Sequence, residues 1–249
     1  MRALITNDDG IQSRGIHELA RVAIAAGLDV QIAAPETERS GSSAALSALA
    51  EGGRLLMEER PLEGLDGVRA HAVQATPAMI AFAATRGAFG ARPDVLLSGI
   101  NHGPNTGTAI LHSGTVGAAF TAAAHGVPAL AVSFATGRPN NWETASQFAA
   151  RGLAWFLQHT EDAYVLNVNV PDLPADQCRG LRHGGLAHFG AVQAHVGERG
   201  SGYVTITFAE VDELPMPDTD VALLRQGWAT ATALKAPVET SAVDVSTIS

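Results

Sequence analysis

Apolar and polar segments alternate along roughly the first 170 residues, in the way that strands and helices alternate in α/β proteins. Short apolar runs at 3–6 and 30–34 flank a stretch at 16–26 whose apolar residues recur at helical spacing. This order predicts a strand, a helix and a second, parallel strand. The pattern continues with strands predicted at 54–58, 68–74, 94–98, 129–134 and 164–170, and helices at 76–86, 114–124 and 142–158.

The predicted fold is therefore an α/β protein with a Rossmann-like, doubly wound, mostly parallel sheet. Ligands of such sheets bind beyond the carboxyl ends of the strands. Three polar loops follow predicted strands, at 7–10, 36–43 and 99–108. We expect these loops to converge on one site at that edge of the sheet.

The alternation ends near residue 179, after which the chain has only a short predicted strand at 203–208, a helix at 220–226 and a strand at 228–233. We interpret 1–178 as a catalytic core and 179–249 as a β-containing extension that packs on the sheet or on a partner subunit. Small and polar residues dominate from 236, which predicts a flexible or exchanged tail.

Composition narrows the possible partners of the protein. The 249 residues carry a net charge of -9, which disfavours nucleic-acid binding. Cys178 is the sole cysteine, so no intrachain disulfide is possible. No apolar run is long enough for a membrane helix and the first residues do not resemble a signal peptide, so we expect no membrane partner and a cytoplasmic location.

Asp8 and Asp9 are adjacent carboxylates that follow the first predicted strand. Two carboxylates this close repel each other unless a positive charge lies nearby, and a hard divalent cation such as Mg²⁺ or Mn²⁺ supplies one. Ser40 and Asn101, each in a loop after another strand, carry oxygen atoms that suit such an ion. Taken alone, an Asp-Asp pair is more typical of a strand-end turn that caps the next helix, and the other oxygen-bearing residues are what favour a metal site.

Several polar groups in the same loops are candidates for phosphate binding. Arg39 and the amides of its loop are one set, and the Asn105 amide is another. Ser113 and Thr115 begin a predicted helix, and helix N-termini bind anions through free N–H groups. Taken alone, Ser113 is better interpreted as an ordinary N-cap.

Four motifs in fixed order resemble the SurE (survival protein E) family of nucleoside-monophosphate phosphatases. They are Asn7-Asp8-Asp9-Gly10, Arg39-Ser40-Gly41, the glycine-rich segment at 98–107 and Ser113-Gly114-Thr115-Val116. The resemblance spans nearly the whole chain and is strongest over 1–135. It implies hydrolysis of 5′- or 3′-nucleotides, with short polyphosphate as a further substrate, and a homodimer or homotetramer assembled through the C-terminal extension.

The resemblance also implies residue roles. One divalent cation per subunit is expected on Asp8, Asp9, Ser40 and Asn101. The expected catalytic residues are Asp8, Asp9, Asn101, Asn105 and Ser113, and the expected substrate-binding residues are Asn7, Arg39, Gly41, Ser42, Gly114 and Thr115.

The chain departs from the family pattern at a few positions near these motifs. The family usually has a tyrosine at the position of His112, often an acidic residue near Ala109, commonly an aspartate at Met79, and a Glu-Gly pair at Thr121-Ala122. These departures leave substrate preference and the proton donor open, with His112 and His102 as candidates for the donor.

Competing functions fit the sequence less well. Haloacid-dehalogenase-type phosphatases need Asp-x-Asp and a later lysine, whereas here the acids are adjacent and the only lysine is Lys235. A receiver-type signalling domain also needs a lysine after a later strand. No G-x-G-x-x-G follows the first strand, which disfavours a nicotinamide enzyme. A non-catalytic nucleotide- or metal-binding protein on the same fold stays open.

Overall fold

A computed structural model describes residues 1–48, 51–135, 140–190, 192–210 and 216–235. The tail predicted from 236 lies outside these described residues. The strands are β1 Arg2–Thr6, β2 Asp29–Pro35, β3 Met57–Glu59, β4 Arg69–Val73, β5 Val95–His102, β6 Ala129–Phe134, β7 Val165–Val170, β8 Leu181–His183, β9 Val192–Gly200, β10 Tyr203–Glu210 and β11 Ala229–Leu234. The α-helices are α1 Arg14–Ala25, α2 Pro77–Thr85, α3 Gly114–Ala124, α4 Trp142–Phe156 and α5 Asp220–Arg225.

Nine of these strands form one mixed sheet in the order β3-β4-β2-β1-β5-β6-β7-β11-β8. The six strands from β4 to β7 in that order are parallel, while β3 and β11 run antiparallel to their neighbours β4 and β7. Strand order reverses between β1 and β5, because β2 lies on one side of β1 and β5 on the other. The predicted doubly wound α/β fold is confirmed.

Helices cover both faces of the sheet. Strands β5, β6 and β7 are buried along almost their whole length, which explains why their sequences are continuous apolar runs rather than alternating ones. Leu97 contributes to a core with Ile16 of α1 and Phe148 of α4 on one face. Leu96 points to the opposite core, which contains Ile80 of α2 and Val116 of α3.

Strand β5 is longer than its apolar run indicates. The sequence predicts that the strand ends at Ser98 and that 99–108 forms a loop, but pairing with β6 resumes beyond Gly99, with Asn101 opposite Ser133 and His102 opposite Phe134. A register shift and a cis peptide bond between Gly99 and Ile100 separate the two paired parts. The boundary at Ser98 was therefore wrong, since a bulge interrupts this strand without ending it.

The residues after 179 divide between two sheets. Strand β11 pairs with β7 and β8 pairs with β11, so part of the predicted extension completes the main sheet. Strands β9 and β10 form a separate antiparallel hairpin.

Among the described residues, no helix has both the length and the apolar character needed to cross a membrane. Division of the chain at 178, and a role of the extension in assembly, stay predictions.

Candidate functional site

The candidate site lies at the carboxyl ends of β1 and β5, where strand order reverses. Open α/β sheets bind their ligands at this position, because the loops of the two strands leave in opposite directions and open a crevice. Asp8 and Asp9 follow β1 after one intervening residue, Asn7, and Asn101 is the second-last residue of β5. The topology alone therefore brings these three candidate metal ligands to one place.

Asp8 is a buried carboxylate, with only 4% of its surface exposed. Its Oδ1 accepts a hydrogen bond from the Thr115 hydroxyl at the start of α3. Its backbone carbonyl accepts from the Arg39 N–H at 2.7 Å, which ties the loop after β2 to the end of β1. Burial, reinforced by the negative charge of Asp9, raises the pKa of Asp8 from 3.8 to about 6.

Asp9 is partly buried beside its neighbour. Its Oδ2 accepts the backbone N–H of His102 at 3.0 Å, which joins the ends of β1 and β5. Burial raises the pKa of Asp9, and the negative charge of Glu38 acts in the same direction, while His102 lowers it. Two carboxylates whose pKa values are both raised by burial are what a bound cation would stabilise.

The loop at 36–43 packs directly on the start of α3. A Cβ added to Gly114 would lie 2.7 Å from both Asp8 Oδ2 and Ser42 Oγ, so these atoms lie against the helix backbone. The Ser42 hydroxyl is buried and has no hydrogen-bond partner among the described residues. Ser43 Oγ donates to the Leu111 carbonyl at 2.6 Å. The three loops predicted to converge do converge.

Ser40 and Asn101, the two other predicted ligands, are oriented by local contacts. Ser40 is exposed, and its hydroxyl donates to Glu38 at 2.6 Å. Asn101 is half-buried, and its Nδ2 donates to the Gly103 carbonyl at 2.8 Å, so Oδ1 is the end of its amide that a cation would use. Gly41, the neighbour of Ser40, is exposed with a φ of 71°.

Asn105 belongs to a buried polar network under the site. Its Nδ2 donates to Ser133 Oγ at 2.8 Å, its N–H donates to Asn169 Oδ1 at 2.8 Å, and its carbonyl accepts from Asn167 and Asn169. The amide that we expect to contact a phosphoryl group therefore points to β6 in this structure. Its catalytic role stays a prediction.

The start of α3 has the features of an anion-binding helix N-terminus. Ser113 Oγ accepts from the Val116 N–H at 3.1 Å, so Ser113 is an N-cap. Gly114 and Thr115 are the first helical residues, whose N–H groups have no partner inside a helix. The Thr115 hydroxyl, which we expected to bind substrate, is bonded to Asp8 instead.

The remaining candidates lie around these groups. Asn7 is fully buried, and its Nδ2 donates to the Gly10 carbonyl at 2.9 Å and to Ser13 Oγ at 2.7 Å. These bonds shape the loop after β1. His102 and His112 are both exposed, as a proton donor to a substrate must be. Met79 and Thr121, two of the family departures, lie within α2 and α3, and the Thr121 hydroxyl donates to the Gly117 carbonyl at 2.8 Å.

Sequence reasoning missed two kinds of residue. Glu38 places a third carboxylate near Asp9. In the sequence it is one of several polar residues in the loop at 36–43, and no feature separates it from an ordinary solvent-exposed glutamate. Asn167 and Asn169 support Asn105 from β7, and here a signal was present, because two asparagines alternate with apolar residues inside a fully buried strand. Polar side chains in such a strand need buried partners.

The residues present fit a hard divalent cation. Within the described ranges, no group of three or more His, Cys, Asp or Glu side chains is arranged to bind a metal. A site here would combine two carboxylates with hydroxyl and amide oxygens, which is the donor set that Mg²⁺ and Mn²⁺ accept. In the same part of the chain, the ion pairs formed by Arg, Lys or His include neither Asp8 nor Asp9.

This fold and this arrangement define a class of α/β protein, one with paired carboxylates at the topological switch point beside a helix N-terminus. Residues 3–193 match the family model of survival protein SurE. The chain belongs to the SurE family.

Named relatives support the same assignment. The chain is 34% identical to the 5′-nucleotidase SurE of Gloeobacter violaceus, over 94% of this chain and 90% of that relative. It is 38% identical to the 5′-nucleotidase SurE of Pelobacter propionicus, over 88% and 87% of the two chains. The crystal structure of SurE protein from Aquifex aeolicus superposes with a TM-score of 0.76 and 26% identity, covering 96% of this chain and 95% of that one.

The raised pKa of Asp8 predicts how the stability of the metal-free protein depends on pH. Because the folded-state pKa of about 6 exceeds the ordinary 3.8, protonated Asp8 stabilises the fold, and this contribution is lost as pH rises through about 6. As the pH rises from about 5 to about 7.5, the loss of this contribution should lower the free energy of unfolding by roughly 1 kcal/mol.

Urea unfolding in EDTA measures this effect. Asp8→Asn has no titrating group at the position, so its stability should fall less than that of the wild type over the same interval. Equal pH dependence of the two proteins would contradict the prediction. Mn²⁺ added in excess over the EDTA should also restore wild-type stability at the higher pH, since it binds the ionised carboxylates of the folded protein but not the unfolded chain.

Proposed function

We propose that this protein is a divalent-metal-dependent phosphomonoesterase that hydrolyses nucleoside monophosphates to nucleoside and phosphate. The observation that carries the proposal is the pair Asp8 and Asp9, held at the switch point beside the N-terminus of α3 with their pKa values raised by burial. The site thus offers a cation position next to an anion position. Relatives named 5′-nucleotidase support nucleotides as the substrate class.

Asp8, Asp9, Ser40 and Asn101 are the residues that we propose to hold one Mg²⁺ or Mn²⁺ per subunit. When bound there, such an ion would polarise a phosphoryl oxygen and lower the pKa of a water. Ser40 must release its hydrogen bond to Glu38 or reorient to take part, because its hydroxyl now donates to that carboxylate.

The protein's own groups bind and orient the phosphoryl group. The Gly114 N–H at the start of α3 and the Ser42 hydroxyl, which has no partner among the described residues, supply donors for phosphoryl oxygens. The Thr115 N–H belongs to the same helix start but already interacts with the Asp8 carboxylate, so it must leave that contact to bind a phosphoryl oxygen. Arg39 adds a positive charge from the same loop. Thr115 and the His102 N–H fix the two carboxylates, so that either can orient or deprotonate the attacking water.

Asn101, Asn105 and Ser113 complete the proposed catalytic set by stabilising charge on the phosphoryl oxygens. For Asn105 this requires its amide to leave Ser133. Asn7 and Gly41 act by shaping the loops that carry Asp8 and Ser40. His112 and His102 are the candidates for protonating the leaving ribose oxygen.

A phosphate-release screen tests the function. The substrates are nucleoside 5′- and 3′-monophosphates and tripolyphosphate, each with Mg²⁺, Mn²⁺, Ca²⁺ or EDTA. We expect release from at least one nucleotide with Mg²⁺ or Mn²⁺ and none with EDTA. Binding of nucleotide without any release would support the alternative of a non-catalytic nucleotide-binding protein, and release undiminished by EDTA would reject metal dependence.

A homodimer or homotetramer is part of the same proposal. The hairpin of β9 and β10 exposes large apolar side chains, namely Val196, Tyr203, Val204 and Ile206. Exposed large apolar side chains concentrated on one hairpin are typical of an interface between subunits. Light scattering should give a mass of two or four chains, and Val204→Ser with Ile206→Ser should lower it.

A cytoplasmic location stays a prediction from the sequence.

A further inference from the structure

Asp220 is a buried carboxylate in the C-terminal part of the chain that the proposed reaction does not use. It is the first residue of α5 and has no exposed surface, at 0%. Its Oδ2 accepts the N–H of Gly107 at 2.7 Å, and its Oδ1 accepts the N–H groups of Ala187 at 3.0 Å and Val221 at 2.8 Å. One side chain therefore joins three backbone segments.

The segment that begins at Gly107 leads directly into the candidate site. Residues Gly107–His112 form a 3₁₀ helix, and Ser113 then caps α3, whose first residues lie against Asp8. Residues 107–113 are therefore the connection that leads into α3 and positions its N-terminus beside the paired carboxylates. The hydrogen bond to Asp220 fixes the first residue of this connection. Gly107 and Asp220 are 113 residues apart in the chain.

A second set of contacts packs the same connection against residues 187–189 in the C-terminal part of the chain. A Cβ added to Gly107 would lie 1.9 Å from the Phe189 carbonyl oxygen, so the two backbones are in direct contact. Beside it, the Thr108 hydroxyl donates to the His188 carbonyl at 3.0 Å. The segment at 187–189, itself held by Asp220 through Ala187, thus forms one wall of the connection.

The three N–H donors explain why this position carries a carboxylate. A carboxylate accepts on both oxygens, whereas an asparagine accepts on one and donates from the other. Asn at 220 could serve Ala187 and Val221 with its oxygen, but it would then present an N–H₂ group to the Gly107 N–H. The substitution therefore removes the bond to the connection while it conserves side-chain size.

We propose that Asp220 is a positioning residue for the phosphatase reaction, because it fixes Gly107 and through it the residues 107–113 that place the N-terminus of α3. The proposal rests on the proposed function for its effect on turnover. The C-terminal part of the chain then takes part in catalysis, although it contributes no group that touches the substrate. We expect a defect in turnover rather than in metal binding, since Asp220 bonds neither Asp8 nor Asp9.

Asp220→Asn tests the proposal, with Asp218→Asn as its matched control. Asp218 is exposed, pairs with Arg182 at 3.0 Å and has a φ of 61°, a conformation that asparagine tolerates. We expect Asp220→Asn to lower kcat on the best nucleotide roughly 10- to 100-fold, with KM and the Kd for Mn²⁺ changed less than about 3-fold. Asp218→Asn should behave as the wild type.

Thr108→Val keeps the proposal testable if Asp220→Asn folds poorly. It removes only the bond to His188 from an exposed side chain, and we expect the same loss in kcat at a smaller size, about 3-fold. Unchanged kcat in both variants would overturn the proposal. A loss of active protein, with normal kcat for each folded and metal-bound site, would show a structural role only and would overturn it as well.

Hydrogen–deuterium exchange separates this proposal from the proposed function. In the full chain, Asp220→Asn should accelerate exchange of the backbone amides at 107–113 relative to Asp218→Asn, with or without a substrate. If the wild type releases no phosphate, the proposed function fails, and faster exchange at 107–113 still supports fixation by Asp220. Unchanged exchange there overturns the positioning claim, whatever the activity.

Discussion

Replacing Asp9 with asparagine will lower metal-dependent phosphate release roughly 100- to 1,000-fold, because it removes one of two charges that attract the cation. The fold should survive, since the Asn oxygen can still accept the N–H of His102 that Asp9 Oδ2 accepts at 3.0 Å. The measurement is steady-state phosphate release over a titration of Mn²⁺, with circular dichroism and thermal unfolding to verify the fold.

The control for this prediction is a carboxylate at the amino ends of the strands, opposite the candidate site. Asp29 begins β2 and is exposed, so Asp29→Asn makes the same change in net charge far from the candidate site. We expect its turnover to match that of the wild type. If the Asp9 variant keeps full turnover at every Mn²⁺ concentration, Asp9 is not a ligand and the proposed metal site is wrong.

The second large effect is expected from Gly114→Ala. The new Cβ would lie 2.7 Å from Asp8 Oδ2 and Ser42 Oγ, closer than nonbonded atoms approach, and Asp8 is held by Thr115 and enclosed by the fold. Asp8, Ser42 or the helix start must move. A displacement of about 1 Å in such a site can cost about 100-fold in turnover, and we expect a loss of that size in kcat/KM.

Stability should change much less than activity in this variant. Overpacking costs roughly 1–3 kcal/mol, and the higher helix propensity of alanine offsets up to about 1 kcal/mol of it. Gly185→Ala is the neutral control, because nothing lies within 4 Å of its added Cβ. Gly117→Ala should instead destabilise the fold, since its Cβ would lie 2.2 Å from the backbone oxygen of Ser43. A Gly114→Ala enzyme with normal kcat/KM would contradict the proposed geometry.

The parallel half of the fold could be predicted because its elements are long and strongly patterned. The predicted helix at 114–124 and strand at 129–134 match α3 and β6 to the residue. Strand β3 is shorter than predicted, three residues in place of 54–58, because it is an exposed edge strand with no apolar face to define its ends. The sheet order could not be predicted in its C-terminal part, where β11 returns antiparallel to β7.

The place of the candidate site could also be predicted, because topology fixes where the loops of parallel strands meet. The partners of individual side chains could not. The Thr115 hydroxyl is bonded to Asp8 and the Asn105 amide to Ser133, although both residues appeared as candidates for substrate contact. A motif records which residues lie near a site, but hydrogen-bond partners depend on side-chain directions that only the folded chain determines.

Asp220 illustrates the same limit at longer range. Its bond to Gly107 spans 113 residues and joins a part of the chain whose sequence pattern is weak. Nothing local to a Thr-Asp pair at the start of a short helix distinguishes a carboxylate that bridges three segments from an ordinary helix-start acid. Only the path of the chain after β7, which returns β11 and α5 to the sheet, reveals that contact.

The most direct measurement is a crystal structure of the protein soaked in Mn²⁺, with the ion located by anomalous scattering. The proposal predicts one Mn²⁺ per chain between the ends of β1 and β5, with oxygens of Asp8 and Asp9 at roughly 2.0–2.6 Å. Ser40 and Asn101 should complete its ligands together with water. Mn²⁺ bound elsewhere, or no ion at these carboxylates at saturating concentration, would contradict the proposed site.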